Sequence, residues 1–584
     1  MILQALVDYY EELASQGKIA RPGWAKAKVS WALEIDEEGQ LLDVLPLRSP
    51  SQDGKKILPR EMELPAPVKR SSGVLPNFLW DNASYILGQD NKGKPKRTAE
   101  CFDAARKLHI MLLAAADSDT ARAIAAFFTN WNPQKADAVP SFAEHREELL
   151  AGDNLCFLYN GKFAAEDPEI QAEWQRAYEE DGEGETEVCL ITGRESVPEL
   201  VHPAIKNVRD AQSSGAALVS FNAPAFCSFG REQNANAPVS KYAAFAYTSA
   251  LNYLLSEREH VKVIGNTTIV YWAKSAESEY QDVFAALFDA DSGELSNTDL
   301  NALMTSIASG KPYNYNGLPL APENDFFILG ISPNAARLSV RFFSRRSFGE
   351  IVQSLKRHYE NIEIVSDGHS KFDALPLWAL LRETVNQKSS DKSPLPQLTG
   401  DVMKSMLSGC RYPETLMNQT MLRIRAEHEI NRGKAGIIKA YLIRNTENLS
   451  DRESIMEVAQ VSLNADSSYC PYVLGRLFAV LEGTQQAANP GINATIKDRF
   501  FNSACATPAA VFPILLKLSN SHLKKLDTGK AVWWSKQIGD LIERLGADFP
   551  AHQSLQEQGA FILGYYHQTQ KRFEKKTNTA KEEE

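Results

Sequence analysis

The chain has 584 residues, of which 43% are hydrophobic and 23% charged, and its net charge is −11. This composition excludes a disordered, collagen-like or low-complexity chain, and no stretch approaches the ~20 apolar residues of a membrane-spanning helix. The acidic balance argues against a protein that coats nucleic acid without sequence preference, but it is compatible with local basic surfaces.

The cysteines and the first residues bear on localisation and on bound metals. Seven cysteines are scattered along the chain without a CxxC pair, which predicts reduced thiols and no zinc finger. The opening residues lack the basic leader and small-residue cleavage site of a signal peptide. We therefore expect a cytoplasmic protein without cofactor or metal.

The hydrophobic pattern predicts an α+β fold. Residues 1–16 have helical spacing, and residues 28–35 and 40–47 predict a hairpin around a glycine turn. A loop-rich stretch at 48–76 and helices within 98–150 follow. The next region mixes strands with helices. Strands are predicted at 155–159, 188–192, 216–221, 267–273, 326–331 and 338–344, and helices at 239–257 and 348–361.

Beyond residue 370 strand signals cease, and helical patterns follow one another to residue 568. They have no fixed repeat period, which favours a helical bundle over a solenoid. We therefore predict small antiparallel or mixed sheets in the N-terminal part, followed by an all-α bundle. The predicted regions are 1–150, with a hairpin and a basic loop, 151–370, an α+β domain, and 371–584, the bundle.

Catalytic signatures are missing from the sequence. It contains no GxxxxGK[ST] phosphate loop, no GxSxG elbow and no HExxH zinc motif. Asp367 and His369 could contribute to a metal site, although the serines on both sides favour a polar turn. Two alternatives stay open at this point: a metal-dependent nuclease using Asp367 and His369, and a protein-only scaffold subunit.

A first segment, residues 68–82, combines basic and small polar residues with apolar anchors. The window 52–97 around it holds nine basic and five acidic residues in an acidic chain. Lysine and arginine neutralise phosphates, and small polar residues let backbone N–H groups approach them. The alternative is a solvated loop held by its aromatic residues. The candidate DNA-binding residues here are Lys69, Arg70, Ser71, Ser72 and Asn77.

A second segment, residues 210–238, is dense in amides and hydroxyls around a predicted strand. Asparagine and glutamine can read base edges, and Gly215 suits a tight turn. Phe221, Phe226 and Phe229 could act as wedges between bases, although packing in the core is the commoner role of aromatic residues. The candidate DNA-binding residues are Gln212, Ser213, Ser214, Asn222, Gln233, Asn234 and Asn236.

A third segment, residues 411–444, is helical and holds seven basic and three acidic residues. A basic helix face could follow a nucleic-acid backbone, and a solvated face of the bundle is the alternative. Arg423, Arg425 and Arg432 are weaker candidates for binding a displaced DNA strand.

Long blocks within these segments resemble a known family, the large subunit of the subtype I-C CRISPR Cascade effector complex (the Cas-eight-c or Csd-one family). The resemblance runs essentially from end to end. The blocks that carry it are residues 1–6, 76–82, 85–88, 211–216, 220–222, 233, 236–239, 248–255 and 474–482.

This resemblance implies an RNA-guided DNA-binding subunit without catalytic activity. Such a subunit recognises the protospacer-adjacent motif in double-stranded DNA, helps to open the duplex, stabilises the R-loop and recruits the helicase–nuclease that degrades the target. Its partners would be the backbone, RNA-end-binding and small subunits that assemble on the CRISPR RNA. An acidic chain with local positive patches suffices for this role, because the complex would provide much of the basic channel and guide pairing would supply sequence recognition.

The family also implies that the C-terminal helical part is made separately as the small subunit, from an internal start. Met456 is the last methionine of the chain, so residues 456–584 would form this product. Met403, Met406, Met417 and Met421 are competing starts, and the alternative role of Met456 is that of a core residue near a helix start.

Overall fold

The computed structural model describes residues 1–50, 57–68, 73–91, 93–180, 185–289, 297–366, 375–390, 392–546 and 549–573. Internal contacts divide the chain into two compact units. The first unit comprises Met1 and residues 3–203 and 220–250; the second comprises Ile2 and residues 204–219 and 251–584. The boundaries predicted at residues 150 and 370 stay a prediction.

The N-terminal 200 residues contain short strands and seven α-helices in the part that the structure describes. The strands are β1 Trp24–Val29, β2 Trp31–Ile35, β3 Leu41–Pro46, β4 Arg48–Pro50, β5 Ile57–Pro65, β6 Trp80–Asn82, β7 Asn154–Tyr159, β8 Lys162–Phe163, β9 Glu187–Val188 and β10 Glu195–Ser196. The helices are α1 Ile2–Ser15, α2 Ala83–Ile86, α3 Pro95–Leu113, α4 Asp119–Asn130, α5 Pro140–Glu144, α6 Arg146–Leu149 and α7 Pro168–Glu180.

A mixed five-stranded sheet organises the core of the first unit. Its order is β3-β2-β7-β6, with β8 beside β7, and β2 runs parallel to β7. The predicted hairpin is confirmed, because β2 and β3 pair antiparallel, with Leu33 opposite Val44. Phe127 and Phe128 of α4 pack edge-on against Phe157 of β7. A second, antiparallel sheet has the order β1-β5-β4.

The second unit contains a four-stranded antiparallel sheet in the order β11-β12-β15-β16. The strands predicted at 267–273, 326–331 and 338–344 are confirmed. Helix α8, Lys241–Ser256, begins in the first unit and ends in the second. The elements that follow it are β11 Val261–Ile264, β12 Thr267–Ala273, α9 Ser278–Asp289, α10 Asn297–Ala308, β13 Tyr313–Tyr315, β14 Leu318–Leu320, β15 Asp325–Asn334, β16 Arg337–Ser347 and α11 Phe348–Ile362. The helices predicted at 239–257 and 348–361 are α8 and α11.

The strand predicted at residues 216–221 is wrong. Ala216 pairs only with Ile205, and Ala217 pairs only with Arg337 at the edge of β16. The following residues form bends, so their apolar alternation does not continue into a ladder.

Beyond β16 the described residues form helices only, and the predicted α+β fold class with a C-terminal bundle is confirmed. The helices are α12 Leu377–Arg382, α13 Pro396–Ser408, α14 Glu414–Glu427, α15 Arg432–Asn445, α16 Arg452–Val458, α17 Cys470–Ala488, α18 Ile496–Ala506, α19 Pro508–Leu523, α20 Thr528–Leu545 and α21 Leu555–Phe573. No described helix has both the length and the apolar character needed to cross a membrane.

Helix α17 is the centre of the bundle. Every residue from 471 to 484 is buried, as expected for a helix with apolar residues on all sides. It crosses α21 at two glycines. A Cβ on Gly475 would lie 1.9 Å from the Phe561 carbonyl oxygen, and one on Gly564 would lie 2.1 Å from that of Tyr472. Each helix therefore presses its glycine against the backbone of the other.

Candidate nucleic-acid interface

Asn77 of the family-like block at residues 76–82 and Arg97 of α3 hold the chain at Val68 and Gly73. The Asn77 side-chain oxygen accepts a hydrogen bond from the Val68 backbone N–H (3.0 Å), and the Asn77 N–H donates to Asp81 (2.9 Å). Arg97 donates to the Gly73 carbonyl (3.0 Å). The candidates outside the described residues are Lys69, Arg70, Ser71 and Ser72.

A buried histidine supports this block. Leu79 has a φ of 67°, which is unusual for a residue with a branched side chain. Its N–H donates to His109 Nε2 (2.8 Å), while His109 Nδ1 donates to the Ala105 carbonyl (2.7 Å). Burial lowers the pKa of His109 to about 4, so the ring stays neutral and keeps its acceptor. Since Asn77 is only 6% exposed, its side chain holds the backbone at Val68 rather than presenting an amide to solvent.

Gln212, Ser213 and Ser214 form an exposed turn in the second unit. The Gly215 N–H donates to the Gln212 carbonyl (2.9 Å) and closes the turn. Gly215 has a φ of +92°, and a Cβ there would lie 2.8 Å from the Ile205 carbonyl oxygen. The close approach of two backbones therefore requires glycine, and it turns the three polar side chains outward.

This turn belongs to a loop with three anchors in the second unit. The Lys206 N–H donates to the Asn252 side chain (2.8 Å), and the Arg209 N–H donates to Thr268 of β12 (3.1 Å). Ala217 pairs with the edge of β16. Lys206 and Arg209 are themselves exposed cations. Sequence reasoning missed both, although each lies within six residues of Gln212.

The side chain of Asn236 stabilises a second loop, in the first unit, by hydrogen bonds to the backbone of that loop. Its side-chain oxygen accepts from the Ser228 N–H (2.8 Å). Its amide nitrogen donates to the carbonyls of Arg231 (3.2 Å) and Gln233 (2.9 Å). Arg231 is held in turn by Glu187 (2.7 Å). The amide of Asn236 is thus occupied by the loop itself, and the residue positions the segment between 228 and 233.

Phe229 stands at the outer end of this loop. It is 99% exposed, and its φ of 56° is rare for a bulky residue. Gln233, also exposed, has a φ of 45°. Asn222 is exposed, whereas Asn234 is 3% exposed and its side-chain oxygen has no partner among the described residues. The loop therefore presents to solvent the whole ring of Phe229, part of the ring of Phe226, which is 43% exposed, and two amides.

The basic residues of α14 and α15 are largely engaged within the bundle. Arg425 donates to Gln558 (2.7 Å), and Arg423 lies 3.6 Å from Glu427. Buried Lys434 pairs with the same Glu427 (2.6 Å). Arg432 is half-buried at the first turn of α15. Binding of a displaced strand by Arg423, Arg425 and Arg432 stays a prediction, and these internal contacts favour a structural role.

Metal-ligating residues are dispersed. Among the described residues, no group of three or more histidine, cysteine, aspartate or glutamate side chains could hold a metal ion. Asp367 and His369, the residues of the nuclease alternative, lie outside the described ranges.

Comparison with known families identifies one match. A family model described as "CRISPR-associated protein (Cas_Csd1)" matches residues 6–573, nearly the whole chain. No curated protein matches the chain. The matched range includes the block at 76–82, the turn at 212–215 and the loop at 222–236.

Proposed function

The chain belongs to the CRISPR-associated Csd1 family, and on that premise we propose that it is the non-catalytic large subunit of a CRISPR RNA-guided surveillance complex for antiviral defence. It recognises the protospacer-adjacent motif in double-stranded DNA, helps to open the duplex, stabilises the R-loop and recruits the helicase–nuclease. Its partners are the guide-bearing Cascade subunits, including backbone, RNA-end-binding and small subunits. The guide reads the target by base pairing, so the protein needs to read only the short flank.

The exposed ring of Phe229 is the observation that carries this proposal. A fully exposed phenylalanine on left-handed backbone costs free energy, and such strain persists where the surrounding structure imposes it, often at functional sites. Here the hydrogen bonds of Asn236 impose it. Apolar wedges that enter a base step are a recurrent means of unstacking DNA. We assign Phe229 that role beside the recognised motif.

The exposed amides and hydroxyls act as readers in this proposal. Gln212, Ser213 and Ser214 lie on the closed turn of the second unit, and Asn222 and Gln233 lie on the loop of the first. Their side chains are accessible to base edges or phosphates. Lys69 and Arg70 contribute phosphate contacts between the fixed residues 68 and 73, while Asn77, Asn234 and Asn236 maintain the loops.

Duplex opening tests the role of Phe229. In the guide-loaded complex, we expect Phe229→Ala to slow opening beside the motif roughly tenfold, because about 1.4 kcal/mol of unstacking free energy is no longer offset. The measurement is the fluorescence of 2-aminopurine placed at the first target base pair. Phe229→Tyr, which keeps a ring, serves as the matched control.

A target with a pre-opened bubble separates opening from binding. Phe229→Ala is expected to bind the bubble as tightly as the wild type does, because no unstacking remains to be done. Equal opening rates for Phe229→Ala and the wild type on intact duplex would contradict the wedge. Equal loss of binding to bubble and duplex would point to an unfolded loop instead.

A further inference from the structure

A strand and a helix of the second unit carry a local excess of positive charge. Residues 337–357, which span β16 and most of α11, contain six basic residues and one acidic residue, a net charge of +5 in a chain of −11. Such a local field in an acidic protein attracts an anionic partner. The same charge count that identified the segments at 52–97 and 411–444 would have identified this one.

Two of these arginines converge on the C-terminal end of α13. Arg346 Nη1 lies 3.4 Å from the Ser408 carbonyl oxygen. Arg357 Nη1 lies 3.5 Å from the position of a Cβ on Gly409, the left-handed residue that ends the helix. Exposed Lys404 is one turn earlier in α13, and exposed Arg411 follows the helix end. The α13-end cluster is defined as Arg346, Arg357, Lys404 and Arg411.

Capping of the helix does not account for the exposed members of this cluster. Arg444, only 8% exposed, already donates to the carbonyls of Ser405 (2.7 Å) and Cys410 (3.2 Å). Burial lowers the pKa of Arg444, and the charge of Arg357 lowers it further. The helix end therefore has a buried cation at its carbonyls, and further positive charge beside it is repulsive.

Ion pairs to acidic residues neutralise little of this cluster. Among the described residues, Arg346, Arg357 and Lys404 make no ion pair, and Arg411 meets exposed Glu447 only at 3.7 Å. Residues 404–411 expose no large apolar side chain in the described structure. Protein interfaces are anchored by buried aromatic and apolar residues, whereas contacts to a phosphate backbone need only charge and hydrogen-bond donors.

We propose that the α13-end cluster binds phosphate groups of a nucleic-acid backbone. The forked guanidinium donors of Arg346 and Arg357 match phosphate oxygens, and the small residues Ser408 and Gly409 beside them let a nucleic-acid backbone approach. This inference rests on the proposed function, and it assigns a phosphate contact to a surface other than α14 and α15. The phosphates belong either to target DNA or to the guide RNA.

The test is the salt dependence of DNA binding by the complete complex. We expect Arg357→Gln with Lys404→Gln to reduce the slope of log K against log salt by about 1.4–1.8, because two phosphate contacts are lost. Lys311→Gln with Lys388→Gln removes the same charge from exposed positions of the same unit and is expected to leave the slope unchanged. Guide RNA retained per complex after salt washing is measured in parallel.

The outcomes distinguish target DNA from guide RNA as the source of the phosphates. They also distinguish failure of the phosphate site from failure of the proposed function. A reduced DNA slope supports contact with target DNA, and early loss of guide RNA supports contact with the guide. A slope and RNA content equal to those of the control variant overturn the cluster as a phosphate site, as does loss of a protein subunit with RNA and DNA binding intact. Wild-type binding that depends neither on this chain nor on the flanking motif overturns the proposed function itself.

Discussion

At the scale of single residues, the candidate DNA-binding residues of the two units include two kinds of amide side chain. The side chains of Asn77 and Asn236 form hydrogen bonds with backbone groups of nearby residues. Gln212, Asn222 and Gln233 are exposed. The first kind sets the shape of a loop, and the second is available to a ligand, so substitutions of the two kinds should have different consequences for stability and for recognition.

Replacing one residue of each kind tests this division. Gln212→Ala is expected to leave thermal stability unchanged and to weaken discrimination between flanking motifs by ~1–3 kcal/mol, the value of one good base contact. Asn236→Ala removes three hydrogen bonds and should lower the stability of its unit by about 1–3 kcal/mol. Melting curves and binding to duplexes that differ only in the flank measure both effects.

Gln233→Ala is the matched control on the same loop as Asn236. It is expected to leave the melting curve unchanged, because its side chain is exposed. Loss of stability in Gln212→Ala, with discrimination intact, would contradict its assignment as a reader.

The sequence shows which residues of these segments carry amide side chains. It does not show which of these amides bond to the backbone and which are exposed. The hydrogen bonds of Asn236 end on backbone atoms of residues 228, 231 and 233, whose positions only the folded loop defines. Likewise, an aromatic residue near a predicted strand usually enters a core. The left-handed backbone at Phe229 is what directs this ring outward.

At the scale of elements, the crossing of α17 and α21 tolerates no side chain at its glycines. Gly475→Ala is expected to lower the free energy of unfolding by about 3 kcal/mol, the upper part of the usual range for overpacking. The reason is that its methyl group would overlap the Phe561 carbonyl. Gly539→Ala in α20, where no atom lies within 4 Å, should be neutral or stabilise the helix by up to ~1 kcal/mol. Urea unfolding of both variants measures the difference, and equal stability would contradict it.

The same helices form the proposed separate product. Met456 lies two residues before the end of α16, so a chain starting there would contain α17 to α21 complete. We expect Met456→Leu to abolish a small C-terminal polypeptide and to spare the full chain, as detected by an antibody against the C terminus. Met421→Leu should leave both bands. Survival of the small band in Met456→Leu would point to another start.

The helical character of the bundle follows from the sequence, because the apolar faces of its helices recur with helical spacing and Gly, Pro or Asn separate many of them. The pairing of β1 with β5 and that of β11 with β12 was not predicted. Strand β5 is exposed over much of its length, and β11 has four residues, so neither has a clear alternation. The pairing of strands that are distant in the chain, such as β2 and β7, depends on tertiary packing, which a local sequence pattern does not show.

At the scale of the whole molecule, buried neutral histidines recur in both units. Burial lowers the pKa of His109, His202 and His567 to about 4 and that of His358 to about 3. Three of them bond a buried tyrosine: His202 to Tyr247, His358 to Tyr412 and His567 to Tyr472. Each is neutral when folded at pH values where the unfolded chain, with a pKa near 6.5, already binds a proton.

Stability should therefore fall as the pH falls from about 6.5 towards 4, since unfolding takes up protons there. Each histidine contributes at most about 1.4 kcal/mol per pH unit in this window. In His358→Gln, the midpoint of urea unfolding is expected to change less between pH 6.5 and pH 4 than in the wild type. This holds whatever the stability of the variant at pH 7. His552→Gln, at an exposed position, should leave the pH dependence unchanged. An equally steep dependence in His358→Gln would contradict this origin.

The paired glycines of α17 and α21 also determine how the bundle can fluctuate. Because each backbone lies directly against the other, neither helix can slide or rotate without separating from its neighbour along this line. Amide protons near Gly475 and Gly564 should then exchange with solvent only through cooperative opening of the bundle, and rank among the slowest of the second unit. Hydrogen exchange followed by mass spectrometry would show this as slow exchange in two segments that lie 89 residues apart in the chain, around Gly475 and Gly564.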